Sequence, residues 1–346
     1  MSKTAHDVVI AGGGPAGCAA ALALARHGVT RIVLVDAARP AGRRIGESLP
    51  PDARLLLARL GVLQSFLAAA HEPCLGSCSS WGSDELGYND FLLNPHGTGW
   101  HLDRRRFETM LLDEVIAAGV EVRRDRFDGS IAARYTVDAT GMKAVVARDA
   151  GARRRFVDRL VCVCGYFDLG EATAFPRLTL LEAVEAGWWY AARLPDGEAV
   201  VAFASDVETV RRLGAARPER WRALLAETRH VAAALAGCPF LPESLRVHPA
   251  PSFVLDRAAR GSWIAVGDAA SSYDPLSAQG IYKALDDGLR AAEAIAAALD
   301  GKRSAFDDYH DSVVARFEQY LASCRYFYGI EQRFPESGFW RRRKAV

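Results

Sequence analysis

Gly12, Gly14 and Gly17 form a G-x-G-x-x-G arrangement between the apolar run 7–11 (DVVIA) and the Ala- and Leu-rich stretch 15–27 that Pro15 and Ala16 open. This spacing lets a strand turn sharply into a helix and lets backbone N–H groups approach a pyrophosphate at the helix N-terminus. A second apolar run, 31–36, ends in Asp36, where a carboxylate can accept hydrogen bonds from a ribose hydroxyl pair. Far downstream, Gly267-Asp268-Ala269-Ala270 follows the apolar run 263–266, and Pro275, Gln279 and Gly280 lie where the next helix opens. There Asp268 can bond a ribityl hydroxyl, and the helix start can face the partially negative pyrimidine edge of a reduced flavin. One βαβ unit alone could hold NAD. The two separated anchors together point to FAD.

Between the anchors lies Arg43-Arg44-Ile45-Gly46-Glu47-Ser48-Leu49-Pro50-Pro51, whose arginines can pair with phosphate and whose Gly-Glu-Ser turn can lie against an isoalloxazine. Candidate residues for the chemistry itself are Glu47 and His96 as acid or base, with Trp189 and Tyr190 as ring contacts. Trp188, Trp100 and Tyr273 are further candidates for an aromatic wall. Each has a plainer explanation: the tryptophans and tyrosines can pack a sheet, His96 can be a turn residue, and Glu47 can be a structural loop carboxylate.

These residues need elements to position them. The runs 7–11 and 31–36 with the intervening helix make a βαβ unit; helices are expected over 51–67 and 104–118, and strands at 120–122 and 135–138. From 160 to 205 the pattern turns to Val-, Phe-, Tyr- and Trp-rich strands with turn signals such as Pro195-Asp196-Gly197, and 207–236 reads as helical. The expected architecture is a discontinuous nucleotide domain, 1–72 with 101–158 and 250–300, and an inserted antiparallel-sheet substrate domain, 73–100 with 159–249. A helical segment and basic tail, 301–346, would follow, the run Arg341-Arg342-Arg343-Lys344 being solvated.

Lys and Arg number 43 against 42 Asp and Glu, so no long-range field favours nucleic acid or an anionic membrane. No stretch has the length of a membrane span, and the N-terminus reaches a buried-strand pattern without a signal-peptide core, which points to a cytoplasmic protein. The seven cysteines form no secreted framework. Cys162 and Cys164 alternate with valines and read as one face of a strand rather than as metal ligands.

The two anchors resemble the FAD-binding motifs of para-hydroxybenzoate-hydroxylase-type flavoproteins, which implies a glutathione-reductase-like, three-layer ββα Rossmann-type fold. The 43–51 segment, Trp100-His101-Leu102-Asp103-Arg104, Asp138-Ala139-Thr140-Gly141 and the terminal Tyr328-Gly329-Ile330 and Phe339-Trp340-Arg341 segments resemble the tryptophan-halogenase-like branch. Within it the chain most resembles the flavoprotein maturases that modify a tryptophan during formation of cysteine tryptophylquinone. The resemblance implies that Gly12, Gly14, Gly17, Asp36, Arg43, Arg104 and Asp268 contact FAD. It also implies a monooxygenase acting through a flavin C4a-hydroperoxide on a peptidyl tryptophan, indole or phenol.

The departures from the family pattern carry information too. Flavin halogenases have a lysine on the substrate side of the flavin, whereas this chain has none between Ser48 and Gly141. Thr140-Gly141 stands where self-reducing hydroxylases carry Asp-Gly, and no second glycine fingerprint exists for a nicotinamide, so electrons from NAD(P)H are expected through a partner flavin reductase. Residues 123–134 are too few for the usual strand-and-hairpin segment. A geranylgeranyl-reductase-type flavin reductase and a non-catalytic FAD-binding maturation scaffold remain alternatives.

Overall fold

The computed structural model describes residues 6–37, 42–170 and 175–344. Its first sheet has six strands in the order Ala259–Arg260, Trp263–Ala265, Ala133–Asp138, His6–Ala11, Ile32–Val35, Glu121–Arg123. All pairings are parallel except the short 259–265 hairpin. Parallel strands are buried on both faces, which is why VVIA and IVLV run without polar interruption. Val8, Ile10, Ile32 and Leu34 face the helices Pro15–Arg26, Arg104–Ala117 and Gly280–Leu299.

The opposite face of that sheet is thinly covered. Among the described residues, Val9, Val33 and Val35 pack on one another and on Phe127, Ile131 and Ala133. Residues 124–132, expected to be too short for a strand and hairpin, contain neither, and the third layer is reduced here to a loop.

The second sheet has seven strands: Phe240–Pro249, Leu160–Asp168, Glu198–Asp206, Gly187–Arg193, Thr179–Val184, Gly76–Ser80, Gly87–Asp90. It is antiparallel apart from the parallel pair Thr179–Val184 with Gly76–Ser80. Period-2 alternation gives it two buried faces. Val161, Val163, Trp189 and Phe203 point to the outer one, under three short helices in which Trp221 donates its indole N–H to Val163 O at 3.0 Å. Cys162, Cys164, Trp188 and Ala202 point to the inner one. No disulfide joins any of the seven cysteines, and no His, Cys, Asp and Glu grouping among the described residues could hold a metal. Among the described residues no helix is long and apolar enough to cross a membrane.

Two expectations change. The helix expected over 51–67 is broken into Ala53–Leu60 and Leu63–Ala68, because Gly61 takes φ +79° and ends the first. The basic run is no solvated tail: Gly338–Lys344 is a helix, Arg343 is 5% exposed, and Arg342 and Arg343 both bond Asp206. Before it, the long helix Ala305–Ile330 runs from Phe306 and Tyr309 in the first core to Tyr328 on the inner face of the second sheet.

Candidate functional site

Three loops that the sequence separates widely meet at the ends of the parallel strands. Gly12 has φ +110°, and a Cβ there would lie 2.3 Å from Ala139 O. A Cβ on Gly17 would lie 1.9 Å from Gly12 O, so the strand-to-helix turn closes only with glycine. The helix beginning at Pro15 has no side-chain cap at Gly14 and no acid in its first turn, which leaves its N–H groups for an anion. Gly13 N–H donates to Asp36 Oδ1 at 3.0 Å, and Arg124 donates to Asp36 Oδ2 at 3.0 Å. Asp138 accepts from Thr140 N–H and hydroxyl at 3.0 and 2.6 Å and from Ala147 N–H at 2.9 Å, fixing the Ala-Thr-Gly turn.

The Gly267-Asp268 loop abuts this turn: Gly267 has φ +60°, and a Cβ on it would lie 2.9 Å from the Ala16 Cβ. Its backbone is held by a buried ion cluster. Gly267 N–H donates to Asp287 Oδ2 at 3.0 Å, Lys283 Nζ donates to Gly267 O at 2.8 Å, and Lys283 and Arg316 bond Asp287 at 3.1 and 2.6 Å. Burial pushes the Asp287 carboxyl up, but Lys283 and Arg316 outweigh it and keep it ionised. Asp268 is half-buried and its carboxylate has no partner among the described residues; burial raises it against the pull of Lys283 and Arg104. Pro275 opens a short turn over Pro275–Ser277, and Gln279 precedes the helix that starts at Gly280. Gly288 lets that helix lie on the Pro15–Arg26 helix, since a Cβ there would be 2.6 Å from Ala19 Cβ. An unpaired carboxylate, an uncapped helix start and a cradle closed to side chains fit FAD.

The segment 42–50 joins this cradle to the second sheet. Arg104 donates to Ile45 O and Gly46 O at 2.8 and 2.7 Å and to Glu108 at 2.7 Å, so it acts as a clamp on the loop. Arg43, expected at a phosphate, instead bonds Glu198 at 2.7 Å and stacks over Tyr166, 5.1 Å from the ring centre. Arg44 pairs with Glu108.

Glu47 is carried by this loop onto the inner face of the second sheet. It is 4% exposed, and its Oε1 is buried without a partner. Burial pushes its carboxyl up to about 7, against the backbone amides of Glu47 and Gly46, the charge of Arg104 and the Tyr190 hydroxyl. Tyr190 OH lies 3.0 Å from Ser48 Oγ. Thus Glu47 and Tyr190 come together.

Trp189 and His96 do not join them. Trp189 is on the outer face, packed on Phe203 and Trp221 at 4.9 and 5.2 Å, because alternate residues of a strand point to opposite sides. His96 sits in a turn beside the start of the Ala53–Leu60 helix, 3.7 Å from Asp52, its backbone N–H bonded to Asn94 Oδ1 at 2.8 Å.

Sequence reasoning gave no site role of their own to Tyr166, Asp274 or Tyr328. Trp188 donates to Tyr328 OH at 3.0 Å, Tyr328 donates to Asp274 at 2.7 Å, and Tyr320 accepts from Asp274 N–H at 2.7 Å. Burial, with Asp158 nearby, raises the Asp274 carboxyl to about 6. The alternation at 160–168 would have placed Tyr166 with Cys162 and Cys164, but not opposite Glu47.

The tryptophan halogenase family profile matches residues 7–91, and the FAD binding domain profile matches 117–323. LodB of Marinomonas mediterranea, described as a FAD-dependent oxidoreductase, is 29% identical, with 98% of this chain and 97% of the relative covered. Among solved structures, the flavin-dependent halogenase CmlS superposes with TM-score 0.85 at 25% identity over 99% of this chain and 68% of its own. QhpG, a peptidyl tryptophan dihydroxylase essential for tryptophylquinone cofactor biogenesis, superposes with TM-score 0.77 at 25% identity, covering 98% and 78%. The fold is the α/β FAD-binding Rossmann type of the flavin halogenases with an additional antiparallel sheet. The chain belongs to the FAD binding domain family and is a FAD-dependent oxidoreductase of the tryptophan-halogenase-like branch.

Proposed function

We propose that this protein is a FAD-dependent monooxygenase that hydroxylates an electron-rich aromatic ring, with a tryptophan held in a peptide as the favoured substrate. The observation that supports the reading best is Glu47, a buried carboxyl poised near neutrality opposite Tyr190 on an aromatic-rimmed sheet face. Bound FAD supplies the two electrons that activate oxygen; one oxygen atom enters the ring and the other leaves as water. The chain's own residues hold the ring, exclude water and manage the proton, Glu47 accepting the one that the ring carbon loses. In this reading Gly12, Gly14, Pro15, Ala16, Gly17, Asp36, Arg104, Gly267, Asp268 and the segment from Pro275 through Gln279 to Gly280 hold the cofactor. NAD(P)H is the electron source, through a partner flavin reductase, because the single glycine fingerprint is already used by FAD. The likeness to QhpG supports the peptide substrate.

Halogenation is the second reading, favoured by the likeness to CmlS and opposed by the lack of any lysine between Ser48 and Gly141. One mixture separates the two: FAD-loaded protein, a general flavin reductase, NADH, isotopically labelled oxygen, bromide and N-acetyltryptophanamide, followed by mass spectrometry. A hydroxylated product carrying the label is expected. A brominated product in its place would overturn the reading.

A further inference from the structure

Tyr328 lies behind the turn assigned above to the cofactor. Its hydroxyl donates to Asp274 Oδ2 at 2.7 Å, the turn Pro275–Ser277 follows at once, and Leu276 of that turn packs into the same cluster as Tyr328. Three indoles surround this phenol. Trp188 donates to its oxygen at 3.0 Å, and the Trp340 and Trp81 rings lie 5.7 and 5.9 Å from its own, centre to centre. Trp81 and Trp340 are 5.2 Å apart, edge to face. Exposure grades along the group: Trp188, Trp340 and Tyr328 are sealed, whereas Trp81 is half-buried at the surface, where its indole N–H donates to Phe327 O at 2.7 Å.

Dry, close-packed rings are the medium that one-electron transfer needs, because ring contact preserves electronic overlap and little surrounding charge has to reorient. Tyrosine adds a requirement. Loss of an electron makes its phenol strongly acidic, so a proton acceptor must stand at the hydroxyl, and Asp274 stands there. Burial, with Asp158 nearby, raises the Asp274 carboxyl to about 6, so near pH 7 it is mostly ionised and still basic enough to take that proton. Burial, then Asp274, holds the Tyr328 phenol far above its ordinary value, so its proton leaves only together with the electron.

We infer that Tyr328, Asp274 and Trp81, with Trp188 and Trp340 packed between them, form a path that carries one-electron oxidising equivalents from the cofactor groove to the surface. The oxidant is a peroxyl radical formed beside the flavin. It takes one electron from Tyr328 and a proton from water and ends as a hydroperoxide, while the Tyr328 proton moves to Asp274. Trp81 then gives an electron to Tyr328, Asp274 returns the proton, and Trp81 sheds its indole proton to water. A thiol in solution restores Trp81 with one electron and one proton, and two thiols so spent join as a disulfide. The path guards the groove whatever the substrate, so it rests on the FAD assignment and not on aromatic hydroxylation.

The test uses oxidised, FAD-loaded protein without oxygen, with blue light on the flavin as the one-electron oxidant and dithiothreitol as the thiol. Transient absorption and electron paramagnetic resonance read amino-acid radicals, and the flavin band reads net reduction. Wild type should show a tryptophan radical and bleach steadily. Trp81→Phe should lose the long-lived radical and bleach severalfold more slowly, and Tyr328→Phe should lose both signals at equal flavin loading. Trp263→Phe, outside this cluster, should behave as wild type. Because Trp81 is half-buried at the surface, its variant decides the matter alone should Tyr328→Phe fail to hold flavin. No amino-acid radical in wild type, signals unchanged in Trp81→Phe, or an equal loss in Trp263→Phe would each overturn the inference.

Discussion

Glu47 makes stability depend on pH in a direction opposite to that of an ordinary paired carboxylate. Its folded value of about 7 lies above the ordinary 4.5, so between these limits the folded protein holds a proton that the unfolded chain has released. Stability therefore falls as pH rises through that window and levels off above it, by about 3 kcal/mol for one fully buried group. Asp274, raised to about 6 from 3.8, adds a decline in the lower part of the same range. Glu47→Gln at equal flavin loading should melt higher than wild type near pH 8 and about equally near pH 5. It should also lose most hydroxylation, since an amide cannot take the ring proton. Thermal melts and product assays at the two pH values check both; a lower melting point near pH 8 would show that the carboxylate is satisfied by partners. Glu47 was legible as a candidate because its loop sits between two recognisable anchors. Tyr166 was not, because its meaning depends on a residue more than a hundred positions away.

At the scale of elements, the glycine turn and the Gly267-Asp268 loop were readable because only a few backbone conformations bring a strand into a helix at such spacing. What fixes the second loop was less readable. Lys283 and Asp287 look like an ordinary i, i+4 surface pair, yet both are buried and grip the Gly267 backbone. Lys283→Met should destabilise the fold by about 3 kcal/mol, at the low end for a broken buried pair because Arg316 still neutralises Asp287. FAD should be lost more readily as the Gly267 carbonyl loses its donor. Urea titration and flavin content after gel filtration measure the two effects, and a stable variant with full flavin would show the cluster to be dispensable. The basic C-terminal helix was misread because charge runs are usually solvated; its neighbours Phe339 and Trp340 carry Arg343 into the interior, 3.7 Å from the centre of the Phe339 ring.

On the scale of the whole molecule, the described residues build one nucleotide fold, and its single glycine fingerprint is the one assigned above to FAD. Mixed anaerobically with NADPH alone, the FAD-loaded protein should bleach far more slowly than it turns over with a flavin reductase present. Stopped-flow absorbance measures this directly, and bleaching at the turnover rate would remove the need for a partner. The fold class was legible from the two anchors and the change of pattern near residue 160. The thinness of one layer was legible only as a shortage of residues at 123–134. Its consequence concerns proteolysis and cofactor loading together. The loop 124–132 is secured by Phe127, Ile131, the Arg124–Asp36 pair and short local turns, so it can open without unfolding the strands beneath it. Opening bares Val9, Val33 and Val35, removes Arg124 from the carboxylate that anchors Gly13, and presents Arg124 and Arg126 to trypsin in a single event. A nick in this loop is then a report from the nucleotide end of the groove, and any ligand that tightens that end slows the cut in proportion to its occupancy.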